Sequence, residues 1–204
     1  MLFGKTARWF ERSSAVLLGH LPCTQGCSGC CVGVFPVTIL DRQEIQRGLR
    51  TLPETRRNRI NRTATEQVTA LTASAPRLKE DPFIDQWSDE DIDQVGERFE
   101  TWSCPALEQD GTCGVYEFRP LACRSMGIPQ DDGFSVNGAC AVQTAVPLIR
   151  LSKIMREEEN HLAGMEAREL KALRRQQGFL GEELLLPFAF LPDDAQTGRI
   201  TESA

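Results

Sequence analysis

The sequence predicts a mainly α-helical protein in which helices clasp a small, irregular, cysteine-rich core. Apolar residues recur at helical spacing in several segments of the 204-residue chain. Eight cysteines fall into two groups of four. The segments around them are rich in glycine and proline, which favours loops over long regular elements.

The first helix is expected over residues 2–18, with its apolar contacts made by Phe3, Trp9, Phe10, Val16 and Leu17. The β-branched content of residues 34–40 then predicts a strand, although Pro36 is unfavourable inside a sheet. Asp41 and Glu44 match a capping box, so a second helix is predicted to begin there.

A third helix is predicted over residues 54–74 because one face is apolar: Ile60, Ala64, Val68 and Leu71. Four arginines near its start form a solvated face or, alternatively, a patch for an anion or partner: Arg56, Arg57, Arg59 and Arg62. Residues 76–100 are strongly acidic and predict an exposed connection with a short helix, facing the arginine-rich helix.

Beyond Pro147 an apolar stripe predicts a helix with an interruption at Gly164, followed by a polar tail from Asp193. The expected organisation is a cysteine-cluster domain over residues 1–145. A helical extension over residues 146–204 would pack on the same core.

Composition narrows the functional class. A formal net charge of -6 argues against a nucleic-acid partner. No segment approaches the roughly 20 apolar residues that span a membrane, and the start of the chain lacks the pattern of a secretory signal. These features predict a cytoplasmic protein. Thiols stay reduced in that compartment, so metal ligation is favoured over disulfides.

The cysteine spacing predicts a metal-binding core. The first group is C-x3-C-x2-C-C (Cys23, Cys27, Cys30 and Cys31), and the second is Cys104, Cys113, Cys123 and Cys140. Four thiolates suit tetrahedral zinc or a cubane iron–sulfur cluster, so all eight are candidate metal ligands. In extended backbone the neighbours Cys30 and Cys31 point to opposite faces, so one compact site and two separate sites both fit. Alternatively, single members such as Cys140, or one of the pair Cys30 and Cys31, are buried apolar residues or form disulfides.

The second group also carries a specific pattern. It reads C-P-x-L from Cys104, G-x-C-x-x-Y-x-x-R-P from Gly111 and C-R at Cys123. With the first group, it resembles the YkgJ-type cysteine-cluster family, also called the CxxCxxCC or zinc- or iron-chelating domain. The resemblance covers about residues 20–145 and implies that the cysteines bind zinc, iron or an iron–sulfur cluster. The family name implies C-x2-C at its start, whereas three residues separate Cys23 from Cys27.

Arg119 and Arg124 lie within this pattern and are candidate cofactor-binding residues that offset the charge of the thiolates, with ordinary surface ion pairs as the alternative. Tyr116 is expected to pack in the core. The favoured function is binding of an iron–sulfur cluster, of the 4Fe-4S type, or of iron, for electron transfer, redox sensing or iron handling. The first alternative is a structural zinc protein whose helices bind a protein partner.

The second alternative is a cluster-dependent enzyme such as a protein methyltransferase, as in the longer flagellin lysine-N-methylases with a similar cysteine cluster. No residue is assigned as catalytic, and the chain shows no glycine-rich nucleotide loop.

Overall fold

The fold class predicted from the sequence is confirmed in a computed structural model, which describes residues 1–17, 26–131, 135–137, 149–177 and 181–192. The helices in these ranges are α1 (Leu2–Val16), α2 (Ile39–Thr51), α3 (Glu54–Ser74), α4 (Arg77–Glu80), α5 (Asp89–Arg98), α6 (Leu121–Ser125), α7 (Lys153–Gln177), α8 (Leu186–Ala189) and a 3-10 turn (Tyr116–Phe118). The strands are short: β1 (Pro36–Thr38), β2 (Gln130–Asp131), β3 (Val136–Asn137) and β4 (Glu183–Leu185). Cys23, Cys140 and the tail from Asp193 lie outside the described residues.

Helices α1 and α7 pack against each other. The buried face of α1 follows helical spacing: Leu2, Thr6, Trp9 and Ser13. The Trp9 indole N–H donates to the carbonyl oxygen of Met155 at 2.9 Å, so the polar edge of this buried ring is satisfied. Two expectations were wrong: Val16 is 61% exposed, and α7 runs through Gly164 without interruption.

The N-cap residue of helix α2 lies three residues before the predicted cap, Asp41. Thr38 is the N-cap residue, and its hydroxyl accepts the Asp41 N–H at 3.3 Å. The Asp41 carboxylate in turn accepts the Thr38 N–H at 3.0 Å, which completes a capping box with a different first residue from the one predicted. The predicted strand over residues 34–40 shortens to β1 for the same reason, because Ile39 and Leu40 already belong to the helix.

Strand β1 pairs antiparallel with β4, with Val37 opposite Leu184. No sequence pattern had predicted this C-terminal strand or α8 behind it. The Asp85 carboxylate fixes the start of β4 by accepting the Glu182 and Glu183 N–H groups at 2.8 and 3.2 Å. Behind β4, the Gln46 side-chain amide donates to the carbonyl oxygens of Ala189 and Leu191. These contacts tie residues 182–191 to α2 and to the segment between α4 and α5.

Helix α3 buries Ile60, Ala64 and Leu71, which confirms its predicted apolar face. The acidic stretch contains two helices, α4 and α5, and Arg77 on α4 pairs with Asp91 on α5 at 3.1 Å. The ion pairs of Arg56 and Arg59 go instead to Glu108 in the second cysteine segment, each at 2.6 Å. Helix α3 is thereby attached to that segment. No helix in the described ranges is long and apolar enough to cross a membrane.

The partly buried carboxyl group of Glu166 on α7 makes the stability of the fold depend on pH. Burial, together with the nearby carboxylates of Asp41 and Glu183, raises the pKa of Glu166 to about 7. The folded state therefore favours the neutral acid. The contribution of Glu166 to the free energy of unfolding is greatest below about pH 4.5, its pKa in the unfolded chain. This contribution is lost as the pH rises through about 7.

We expect Glu166→Gln to stabilise the fold at pH 8 by about 1–2 kcal/mol and to have little effect at pH 4. Denaturant unfolding at both pH values measures this difference. Glu157→Gln, at an exposed position of the same helix, is the control and should change stability by less than about 0.5 kcal/mol. Equal effects of the two variants at pH 8 would refute the assignment.

Candidate metal centre

Six cysteines from distant parts of the chain line one cavity of about 570 Å³. All six are free thiols: Cys27, Cys30, Cys31, Cys104, Cys113 and Cys123. Apolar side chains form another part of the wall: Phe35, Val115, Leu186 and Phe190. We call this space the cysteine cavity. The cysteine motifs did not predict that Leu186 and Phe190 would line this cavity. The apolar run at 184–191 could have indicated a buried element there.

The first cysteine segment is a chain of turns. The Cys31 N–H donates to the Ser28 carbonyl oxygen at 2.9 Å, closing a tight turn around Cys30. Gly33 follows with φ +87°, a left-handed conformation that glycine adopts without a steric cost. This turn keeps Cys30 and Cys31 beside the cavity while the chain continues into β1.

A short antiparallel contact joins the two cysteine segments, with Val32 opposite Ser103. The Cys104 N–H donates to the Cys31 carbonyl oxygen at 2.8 Å, and the Gly33 N–H donates to the Trp102 carbonyl oxygen at 2.7 Å. These backbone bonds place Cys31 and Cys104 side by side, although 72 positions separate them in sequence. No sequence pattern indicated this pairing.

The second segment forms a hairpin-like loop that brings Cys113 back toward Cys104, since Leu107 is opposite Cys113. The Gly114 N–H donates to the Ala106 carbonyl oxygen at 2.7 Å, and the Glu108 N–H to that of Thr112 at 2.9 Å. At the tip, Gly111 has φ +80° and lies against the first segment. A Cβ atom on Gly111 would come within 2.6 Å of the Gly26 carbonyl oxygen.

Gly111→Ala is expected to destabilise the protein by at least about 2 kcal/mol. The alanine would be strained at positive φ, and its methyl group would separate the two cysteine segments. Thermal unfolding measures the loss. Gly96→Ala is the control, because its Cβ would meet Val34 at an ordinary 3.7 Å inside α5, where alanine is favoured by about 0.5–1 kcal/mol. Similar effects of the two substitutions would refute the close approach at Gly111.

Cys123 lies on α6, whose start is fixed by buried charged groups. The Asp41 carboxylate accepts the Leu121 N–H at 2.8 Å. Arg124 is only 5% exposed and donates to the carbonyl oxygens of Arg119 and Glu117 at 3.0 and 2.5 Å. Glu44, also buried, lies 3.6 Å from the Arg124 guanidinium. The capping motif of α2 thus also supports the segment that carries Cys123, a role that its sequence pattern does not indicate.

The two arginines of the motif have different surroundings. Arg124 is enclosed by carbonyl oxygens, Glu44 and the ring of Phe3, 5.4 Å away, and is absent from the described wall of the cavity. Arg119 lines the cavity, and its guanidinium lies 4.0 Å from the centre of the Tyr116 ring. Tyr116 is 54% exposed, so its expected place in the core was wrong. Its ring lines the cavity and carries the Arg119 guanidinium on one face.

The thiols differ in acidity. The hydrogen bond from Cys31, with a contribution from the Arg119 charge, lowers the pKa of Cys30 to about 6. Donating that bond raises the pKa of Cys31. Burial raises the pKa of Cys104 to about 12 and also raises the pKa values of Cys113 and Cys123. Near neutral pH, Cys104, Cys113 and Cys123 therefore favour the neutral thiol, and a bound cation would favour their deprotonation.

The donor set suits a soft metal. Thiolates favour zinc and iron–sulfur centres over hard cations such as calcium. Across the described ranges, no three cysteine, histidine, aspartate or glutamate side chains are already gathered in a metal-holding arrangement. The six thiols share a cavity without meeting at one point.

Residues 22–141 match a family model described as "CxxCxxCC: Putative zinc- or iron-chelating domain". The matched region exceeds half of the chain and contains all eight cysteines. Neither the curated proteins nor the solved structures include a match. The family match confirms the resemblance indicated by the cysteine motifs.

Proposed function

Because this chain belongs to the CxxCxxCC family of zinc- or iron-chelating domains, we propose that the cysteine cavity is its metal centre. The observation that carries the proposal is the convergence of six thiols on one cavity from segments more than 70 residues apart. Cys27, Cys30, Cys31, Cys104, Cys113 and Cys123 are the proposed ligands. Cys23 and Cys140, within the same family match, are proposed to complete the set.

The spacing of the cysteines favours an iron–sulfur cluster over a single zinc ion. One zinc ion and one cubane cluster each take four thiolates, so the number of thiols in the cavity does not separate the two. The first group is a compact C-x3-C-x2-C-C loop, a spacing typical of cubane clusters, and the sequence lacks the two separated C-x2-C pairs of a zinc ribbon. Apolar side chains shield the cavity from water on one side. The cluster would supply one-electron redox chemistry, which suits electron transfer, redox sensing or iron handling in a reducing cytoplasm.

Arg119 is proposed to offset the negative charge of the centre. It lines the cavity, and its positive charge favours the thiolate form of Cys30. Arg124 is proposed to act indirectly, by holding the backbone between Arg119 and Cys123. Its donors are directed to carbonyl oxygens and Glu44, so it keeps the chain in place around the thiols.

Structural zinc is the second candidate, because the same thiolates suit it. Purification without oxygen, followed by determination of iron, zinc and acid-labile sulfide, separates the two. We expect a coloured protein with iron and sulfide in equal amounts. A colourless protein with stoichiometric zinc and no sulfide would contradict the cluster and leave a zinc centre. Absence of both metals would contradict the metal centre itself.

A further inference from the structure

We propose that the cysteine cavity also binds a small organic carboxylate, with the carboxylate on Arg119 and the apolar body against Phe35, Leu186 and Phe190. This inference rests on the proposed function, since it places the ligand beside the metal centre. It assigns the cavity a substrate or cosubstrate of stated chemistry: an anionic head on an apolar body.

The first observation is the room in the cavity. Its volume of about 570 Å³ is many times the roughly 30 Å³ that one water molecule occupies in the liquid. It falls within the range of about 300–1,000 Å³ that is typical of small-molecule pockets. The proposed metal centre occupies the part of this space beside the thiols, and the part beside the apolar side chains is left for an organic ligand.

The second observation is the composition of the wall. The wall of the cavity combines two kinds of side chain. The two cysteine segments contribute thiols, and the residues just before β1 and from α8 to Phe190 contribute an apolar surface. Leu186 and Phe190 belong to the packed core, whereas Phe35 is half-buried and offers most of the accessible part of this apolar surface. A hydrated ion gains nothing from such a surface, whereas the hydrocarbon part of an organic ligand does.

The third observation is the state of Arg119. Its guanidinium is held over Tyr116 at 4.0 Å and lies 5.6 Å from the centre of the Phe10 ring. In the part of the chain that the structure describes, no carboxylate pairs with it, and its buried Nε atom has no hydrogen-bond partner. A guanidinium fixed by aromatic stacking and left with free donors is suited to a planar carboxylate, which it can bind through two parallel hydrogen bonds.

Arg124, in contrast to Arg119, is a buried arginine that stabilises the fold. It is 5% exposed, and its donors are directed to two carbonyl oxygens and to Glu44. Two arginines five positions apart thus have complementary roles. Arg124 holds the backbone, and Arg119 is presented to the cavity with its donors free.

Calorimetric titration with phenylacetate tests the proposal, with phenylacetamide as the neutral ligand of nearly identical shape. The protein is used as purified without oxygen, with its metal content determined beforehand. We expect phenylacetate to bind about tenfold or more tightly than phenylacetamide, since a hydrogen bond to a charged group contributes about 1.5–3 kcal/mol. Arg119→Gln should abolish this preference, and Arg119→Lys should restore part of it. Arg98→Gln, which removes a surface arginine beside Phe99, should leave the preference unchanged.

The outcomes separate this inference from the proposed function. Equal binding of acid and amide to the wild-type protein, or no binding of either, would overturn the inference. An acid preference that survives Arg119→Gln would overturn it as well. Loss of metal from Arg119→Gln without any phenylacetate binding to the wild type would show that Arg119 serves the metal alone. An acid preference in a chain that holds no metal would refute the metal centre and keep the carboxylate site.

Discussion

Cys113→Ser is expected to abolish stoichiometric metal binding and to remove the stability that the metal supplies. Serine keeps the size of the side chain and removes the soft donor, so the metal loses a ligand while the fold loses little packing. A metal present at 1,000 times its dissociation constant stabilises the folded state by about 4 kcal/mol. For a chain of this size that stabilisation corresponds to roughly 8–16 °C in melting temperature. Cys123→Ser should act in the same way.

Metal analysis and thermal unfolding of the anaerobically purified variants measure both effects. Thr112→Ser, next to Cys113 and able to keep its hydroxyl bond to Asp110, is the control and should retain metal and melting temperature. A chelator provides the second control, because it should lower the melting temperature of the wild-type protein to that of Cys113→Ser. A Cys113→Ser protein with full metal content would remove that cysteine from the proposed ligands.

Arg124→Met is expected to destabilise the fold by about 3–5 kcal/mol, the usual cost of breaking a buried charge pair by removing one partner. Methionine fills much of the space but leaves two carbonyl oxygens without their donor and removes the buried positive charge that faces Glu44. The backbone from Glu117 to Cys123 then loses the hydrogen bonds from Arg124 that hold it in place. We therefore also expect metal affinity to fall by tenfold or more, as is typical when a group that orients a ligand is removed.

Glu44 offers a matched control, because a second arginine pairs with the same carboxylate. Arg47 lies 2.7 Å from Glu44, but its side chain is 49% exposed, and exposed pairs contribute about 1 kcal/mol or less. Arg47→Met should therefore cost less than about 1 kcal/mol and leave metal binding unchanged. Urea unfolding and a competitive metal titration of both variants provide the comparison. Equal losses of stability would contradict the special role of Arg124.

The sequence predicted those parts of the fold that depend on local patterns. Helix α3 was found because Ile60, Ala64 and Leu71 repeat at helical spacing, and all three are buried. The start of α2 was misplaced because Asp41 can serve either as a cap or as the third residue of a capping box. Thr38 takes the first position because its hydroxyl accepts the Asp41 N–H.

The cysteine residues of the site were predicted from the sequence, but their arrangement was not. Spacing alone could not show that Cys31 and Cys104 are neighbours, because a backbone bond between distant segments sets that contact. Nor could it show that Leu186 and Phe190 complete the wall, since residues 182–191 reach the site through pairing of β4 with β1. The different surroundings of Arg119 and Arg124 likewise depend on which carboxylates the fold brings near.

X-ray absorption at the metal edge of the anaerobically purified protein tests the central claim most directly, because it reports the atoms bound to the metal. If the cysteine cavity is the metal centre, the first shell consists of sulfur alone, at about 2.3 Å for zinc, and iron in a cluster adds a second shell of neighbouring iron atoms. A first shell dominated by oxygen or nitrogen would contradict the account, because the six thiols of the cavity would then not be the ligands.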